Sequence, residues 1–364
     1  MAKISTFDDW TDLFKKWQQD IGVDTTLFKD YPFEAFYDEP AAAEVEFGEF
    51  AGRRKWESLL EIPNQEMRDS LMHLIVYQGD TEFASSEQQR RLIDTPPSPH
   101  DLKCLLRVMR EEMRHGWQMC HILVNHFGSS GKLEAAKLLE RRAYKGQRLL
   151  GAFNQPVNHW LDFFAYTAFI DRDGKFQLTM LHHSGFKPLA ASMGPMLKEE
   201  SFHLFTGQSG LQRVIRAGKV PTATIQRYLN KWIPTAYDLF GKDHSSSALR
   251  FYRWGFKGRF DENPSTQPKD PERLNEEART HYANEAGEII NGLNQMIPEG
   301  QPKLYLPDVK FNRQIGDYAG KNYSAQGQPL GVDDYLLHLN DVLPGAADVQ
   351  TLEAVFKEGN WVAQ

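Results

Sequence analysis

The chain has 364 residues, of which 41% are hydrophobic and 25% charged, so it can bury the core of an ordinary globular protein. Its formal net charge of −7 argues against a nucleic-acid-binding protein, which usually presents a basic face. No apolar run approaches the roughly 18 residues of a membrane span. The opening MAKISTFDDW lacks the apolar segment of a signal peptide. We therefore expect a cytoplasmic protein with no nucleic-acid or membrane partner.

Residues 1–50 are rich in aromatic and acidic residues, which predicts a short helix followed by irregular chain packed on a larger body. From about residue 65 to 245 the pattern is strongly helical, with apolar residues at intervals of three and four, and amphipathic stretches continue to about residue 255. We expect helices over 64–95, 100–127, 132–155, 156–171 and 187–206. The run DRDGK (171–175) predicts the end of the fourth helix, with Gly174 as a left-handed cap.

The composition changes beyond Pro264, where a polar, proline-rich link precedes one more helix near 272–297. Scattered glycine and proline in the last part of the chain predict an irregular C-terminal wrap. We see no alternating strands and no βαβ rhythm. The predicted fold is all-α, a four-helix bundle core with extra helices. The predicted divisions are an N-terminal segment packed on the core (1–50), the helical domain (51–260) and a C-terminal extension packed on the core (261–364).

Certain acids fall on the apolar faces of these helices. Within 102–127, Glu112 lies in a stripe of leucine and methionine, and His115 follows three residues later on the same side. Within 187–206, Glu200 and His203 repeat the arrangement. A buried carboxylate is costly unless it is paired or bound to a metal. Two such Glu-x-x-His pairs on facing helices suit iron or manganese.

Two further acids complete the pattern, since Glu82 and Asp171 lie on the apolar faces of the two remaining helices. Glu82 precedes Glu112 by 30 residues, and Asp171 precedes Glu200 by 29. The ferritin-like di-metal bundles use one acid from each of two helices and Glu-x-x-His from the other two. The sequence departs from that template only in having Asp in place of one Glu. The predicted metal ligands are Glu82, Glu112, His115, Asp171, Glu200 and His203.

Other interpretations of these residues stay open. Each Glu-x-x-His pair is preceded by a second glutamate, Glu111 or Glu199, and such acid pairs are common on solvated helix faces. Asp173 competes with Asp171 as an ordinary turn residue. Gln78, one turn before Glu82, is a candidate substrate contact or a buried, satisfied amide.

A basic cluster lies within 132–155 and consists of Arg141, Arg142, Lys145 and Arg148. We interpret it as a solvated helix face, with phosphate binding as the alternative.

Several longer segments carry a resemblance to a known family. They are QGDTEFASSEQQRRL (78–92), EEMRHGWQM (111–119), LLERR (138–142), LGAFN (150–154), DRDGKFQL (171–178), EESFHLFTGQSG (199–210), IQRYLN (225–230), FKGRF (256–260) and FNRQIG (311–316). Over most of residues 50–330 the chain resembles the oxygenase subunits of the benzoyl-CoA 2,3-epoxidase family, which are related to the phenylacetyl-CoA epoxidases. The family's metal ligands correspond to the six residues named above, including the Asp.

The resemblance implies a ferritin-like di-iron enzyme. It implies two Fe ions, O2 as co-substrate and electrons from NADPH through a separate flavin and iron-sulfur reductase. The implied reaction is epoxidation of an aryl-CoA ring, with benzoyl-CoA and its 2,3-epoxide as the favoured pair. The sequence departs from the family at Gly116 and Phe202, beside the motif histidines, and these differences concern the substrate pocket rather than the ligands. The alternatives are a di-iron hydroxylase or N-oxygenase acting on a different aromatic substrate, and an iron-storage or inactive scaffold protein.

Overall fold

The computed structural model describes residues 4–263, 265–266 and 268–363. Two positions of the predicted proline-rich link, 264 and 267, lie outside these ranges. The helices found in them are α1 (Phe7–Asp20), α2 (Gln65–Gln89), α3 (Pro99–His126), α4 (Gly128–Glu140), α5 (Trp160–His182), α6 (Lys187–Ala217), α7 (Thr222–Leu239), α8 (Ser246–Arg253), α9 (Leu274–Asn294), α10 (Val332–Val342) and α11 (Ala346–Glu358). Pairing between extended segments in the described ranges is limited to isolated bridges, such as the one that joins Glu44 and Arg54.

Four helices form the bundle. α2 packs along α3, α5 packs along α6, and α3 meets α6 across the middle. The apolar faces of these helices are buried, as Leu71, Met109, Phe164 and Met193 illustrate. α1 covers one side of the bundle, while α7 and α9 pack on α5. The predicted fold class is confirmed, with two helices, α10 and α11, inside the C-terminal segment that we expected to be irregular.

The predicted start of α5 at Pro156 is wrong. The helix begins at Trp160, because the side chain of His159 caps its first turn: His159 Nδ1 accepts a hydrogen bond from the backbone amide of Asp162 at 3.1 Å. A cap of this kind satisfies an amide that has no partner within the helix.

The predicted end of α5 in the run 171–175 is also wrong, since the helix continues to His182. Glycine in a helix interior costs about 1 kcal/mol relative to alanine, and tertiary contacts offset that cost at Gly174. Arg172 Nη1 donates to Glu285 Oε2 of α9 at 2.8 Å. The ring of Phe176 stacks on Phe260 with 4.0 Å between centroids.

The predicted helix over 132–155 is wrong beyond Glu140, where α4 ends. The basic cluster is therefore not one helix face, and Arg148 is buried rather than solvated. Its guanidinium pairs with two buried acids of α2, Asp80 at 3.1 Å and Glu87 at 2.8 Å. Helix α6 is longer than predicted. It ends at Ala217 and is followed by Gly218, whose φ of +66° favours glycine.

None of the helices in the described part of the chain combines the length and the apolar character that a membrane crossing requires. The divisions near residues 50 and 260 stay predictions.

Candidate metal centre

The six side chains predicted to bind metal lie together in the middle of the bundle, and each is at most 6% exposed. They are Glu82 on α2, Glu112 and His115 on α3, Asp171 on α5, and Glu200 and His203 on α6. Ligand atoms of Glu82, Glu112, His115 and Glu200 lie within 4.8 Å of one another, and so do those of Glu112, Asp171 and His203. The two groups share Glu112, so the arrangement offers two adjacent metal positions.

The two histidines turn the same ring nitrogen towards this centre. Nδ1 of His115 lies 3.3 Å from Glu82 Oε2 and 3.6 Å from Glu200 Oε1. Nδ1 of His203 lies 3.4 Å from Glu200 Oε2 and 3.6 Å from Glu112 Oε1. Each histidine thus faces two carboxylates, and the two halves of the centre are alike.

The other ring nitrogen of each histidine contacts a second glutamate on the opposite helix. Nε2 of His115 (α3) lies 2.8 Å from Glu199 of α6, and Nε2 of His203 (α6) lies 3.2 Å from Glu111 of α3. A carboxylate in this position fixes the proton on Nε2 and leaves the Nδ1 lone pair for a metal. This role was not predicted, although the repeated Glu-Glu-x-x-His pattern at 111–115 and 199–203 was its signal.

Arginines hold these supporting glutamates in place. Arg107 Nε donates to Glu111 at 2.8 Å, and Arg114 Nε donates to both carboxylate oxygens of Glu199 at 3.0 Å. Burial acts to raise the pKa of Glu199, but the hydrogen bond and charge of His115, together with Arg114, lower it to about 2. Glu199 is therefore an ionised acceptor at neutral pH.

Inside the centre the carboxylates face one another. Burial, and then the negative charge of Glu82, raise the pKa of Glu112 well above its ordinary value. Burial and the charge of Glu200 do the same to the pKa of Asp171. Burial also acts to raise the pKa of Glu82, but the hydrogen bond and charge of His115 outweigh it and the pKa is lowered. The centre therefore holds more negative charge than its protein surroundings compensate.

The donor set fits two divalent metal ions. Metal binding would deprotonate the four carboxylates, and two divalent cations would neutralise the four negative charges that result. Buried atoms also stand without a hydrogen-bond partner among the described residues, namely Asp171 Oδ2, Glu200 Oε2 and His203 Nδ1. Carboxylate oxygens with imidazole nitrogens are the ligands of non-haem iron and manganese.

A channel of about 300 Å³ leads from the centre towards the surface. Its inner end is formed by ligand carboxylates, and most of its wall is apolar, with residues that include Leu74, Phe153, Ile170, Met180, Leu181 and Phe240. Gln78 lines the channel and donates a hydrogen bond to Glu82, while Ser85 donates to Glu112 at 3.1 Å. Gln78 is thus both a bonded amide and a channel residue, and its contact with substrate stays a prediction.

Comparison with known proteins gives the family. The family model described as "Phenylacetic acid catabolic protein" matches residues 60–303. Benzoyl-CoA oxygenase component B of Aromatoleum evansii is 32% identical over 98% of this chain and 91% of that protein. One subunit of the 1,2-phenylacetyl-CoA epoxidase of Escherichia coli (strain K12) is 21% identical over 82% of this chain and 86% of that protein. The predicted resemblance and the assignment to an oxygenase enzyme are confirmed, and the chain belongs to the phenylacetic acid catabolic protein family.

Proposed function

We propose that this chain is the di-iron oxygenase component of an enzyme that epoxidises the aromatic ring of an aryl-CoA thioester, with benzoyl-CoA and its 2,3-epoxide as the favoured substrate and product. The observation that carries the proposal is a pair of buried ligand groups sharing Glu112 at the inner end of an apolar channel. The names of the two relatives support a CoA thioester of an aromatic acid as the substrate class.

In this proposal Glu82, Glu112, His115 and Glu200 would hold one iron, and Glu112, Asp171 and His203 would hold the other. Bound iron would supply the activation of O2, with electrons drawn from NADPH through a separate reductase component. The protein's part is to keep both histidines in one tautomer. Glu111 and Glu199 do this by accepting from Nε2, so that each Nδ1 stays a metal donor.

The channel accounts for how the ring would reach the centre. Its apolar wall would bury the aromatic ring and exclude water, which protects a reactive oxidant from side reactions. Binding energy from the CoA portion, remote from the ring, would fix the position of the ring against the metals. Gln78, held by its hydrogen bond to Glu82, is the side chain that we propose meets the substrate beside the centre.

The test is to load the anaerobically purified chain with ferrous iron, count the iron, and measure O2 uptake and oxygenated products with a suitable reductase, with and without benzoyl-CoA. We expect about two irons per chain and uptake that depends on benzoyl-CoA, as a di-iron bundle requires. Two irons with uptake driven only by another aromatic compound would keep the oxygenase and replace the substrate. Failure to bind stoichiometric iron would overturn the proposal.

A further inference from the structure

Gly174 has no structural reason to be glycine. It lies in the middle of α5, one turn beyond Asp171, and its φ is not positive. A Cβ atom at this position would meet no heavy atom within 4 Å, so close packing does not require glycine either. Gly174 does line the channel. Gly174 therefore leaves open space at the channel wall, one turn beyond the predicted ligand Asp171.

Lys257 lies further along the same channel and is short of partners. Its Nζ donates to Gln177 Oε1, and Gln177 Nε2 in turn donates to Asp173 Oδ1 at 2.9 Å. Among the described residues no carboxylate oxygen lies within 4.0 Å of Lys257 Nζ. An ammonium group has three donors, so Lys257 can still donate into the channel. Burial lowers the pKa of Lys257 to about 8, against the opposing charge of Asp173.

The spacing along α5 sets these two features in order. With a rise of about 1.5 Å per residue, Gly174 lies about 4.5 Å and Gln177 about 9 Å beyond Asp171 along the helix axis. Along the axis of α5, the residue that holds the hydrogen-bond donor thus lies farther from Asp171 than the open gap does. A flat ring attached to a carbonyl group has its two parts in that order.

We propose that Gly174 and Lys257 form the acyl-recognition subsite of the channel, in which the gap at Gly174 admits a planar aromatic ring and Lys257 donates a hydrogen bond to the carbonyl oxygen of its thioester. Gln177, fixed from both sides, is the positioning residue that orients Lys257. This inference rests on the proposed function, because it takes the channel to be the route of an aryl thioester.

The test measures binding without turnover, by calorimetry on the iron-loaded protein kept anaerobic and without reductase. The probes are benzoyl-CoA, acetyl-CoA, which has the carbonyl and no ring, and the thioether S-benzyl-CoA, which has the ring and no carbonyl. The variants are Gly174→Leu and Lys257→Met. Gly292→Leu in α9 is the matched control, because a Cβ there also meets open space and the residue lies outside the channel.

We expect Gly174→Leu to weaken benzoyl-CoA binding by about tenfold or more, since forcing a side chain into occupied space is costly, and to leave acetyl-CoA binding unchanged. Lys257→Met should weaken both thioesters by about tenfold and leave S-benzyl-CoA unchanged, since one charge-assisted hydrogen bond is lost. Gly292→Leu should bind all three as the wild type does.

The outcomes separate the two proposals. If the wild-type chain binds no benzoyl-CoA, the proposed function fails and this inference fails with it. If the wild type binds benzoyl-CoA and either variant binds it equally well, the subsite is wrong and the proposed function stands. Circular dichroism would show whether Gly174→Leu folds. If it does not, the binding data for Lys257→Met decide whether the subsite is correct.

Discussion

Two clusters of buried charge lie on opposite faces of α2, and they differ in how the charge is compensated. The arginine cluster consists of Arg148, Asp80 and Glu87, and its guanidinium contacts both acids directly. The metal centre begins at Glu82 on the other face, where buried carboxylates raise one another's pKa. Since 3.6 residues make one turn, positions 80 and 87 share a face and position 82 lies opposite.

The difference shows how to tell a structural cluster from a functional one. In the arginine cluster each buried acid is paired with a guanidinium as the chain folds, although Arg148 Nε has no hydrogen-bond partner among the described residues. The cluster ties the loop after α4 to the bundle. The candidate metal centre is less complete, because its four carboxylates face only two histidines, and Asp171 Oδ2 and Glu200 Oε2 lack hydrogen-bond partners among the described residues. A buried charge that the fold leaves uncompensated is a candidate for a bound ligand.

The largest effect on the candidate metal centre should come from replacing Glu112, the ligand that its two groups share. Glu112→Gln should abolish stoichiometric iron binding at both positions, and with it oxygenase activity, because Glu112 belongs to both ligand groups. Iron per chain after anaerobic loading and desalting is the measurement. Glu134→Gln on α4, outside the centre, is the control and should load normally. A Glu112→Gln protein that kept about two irons would contradict the two-position geometry.

The next largest effect should come from the arginine cluster and should fall on stability alone. Arg148→Met leaves Asp80 and Glu87 buried without their main partner, which should lower the free energy of unfolding by about 3–5 kcal/mol. Iron content should not change. Urea denaturation of Arg148→Met and of the control Arg141→Met tests this. Arg141→Met removes a longer and more exposed contact to Asp80 and should cost less. If Arg148→Met lost iron without losing stability, the arginine cluster would have a role in metal binding and not the structural role assigned to it.

A smaller effect is expected in the pH dependence of the metal-free protein. The folded-state pKa values of Glu112 and Asp171 lie above their ordinary 4.5 and 3.8, and that of His115 is raised from 6.5 to about 9. Each group therefore contributes stability that is present below its unfolded pKa and is lost as pH rises through its folded pKa.

The shift of His115 is about 2.5 pKa units, and one unit corresponds to about 1.4 kcal/mol. Between pH 6.5 and 9, the free energy of unfolding of the metal-free protein should therefore fall by about 3 kcal/mol. The lowered pKa of Glu82 acts in the opposite direction, but only below its ordinary 4.5. Iron-loaded protein should not show this fall, because metal ligands are already deprotonated. Denaturation curves at several pH values with and without iron check it, and a flat metal-free profile would argue against the pairing of His115 with Glu82 and Glu199.

Helical periodicity was enough to find the residues that meet in the centre, since it depends only on which side chains share a face. Asp171 shows this well: its position follows from the stripe through Phe164 and Ala168, and the wrong helix end at 171–175 did not disturb it. Gly174 led to the wrong prediction for the end of α5, because local helix propensity does not include the contacts that Arg172 and Phe176 make with distant segments.

Contacts between distant residues could not be predicted in the same way. Arg148 finds its acids 61 and 68 residues away, through a loop whose path the sequence pattern does not describe. Glu111 and Glu199 act on histidines of the opposite helix, so no pattern within one helix reveals their partners. Their repeated spacing was visible, but its meaning depends on how α3 and α6 are aligned.

That crossed support makes α3 and α6 a single mechanical unit. Each helix carries the acid that orients the histidine of the other, so a slide of one helix along its neighbour by one residue, about 1.5 Å, would break both contacts at once. Neither half of the candidate centre can then lose its shape while the other keeps it. The alignment of two helices, rather than any one side chain, is thus what the two ligand groups have in common.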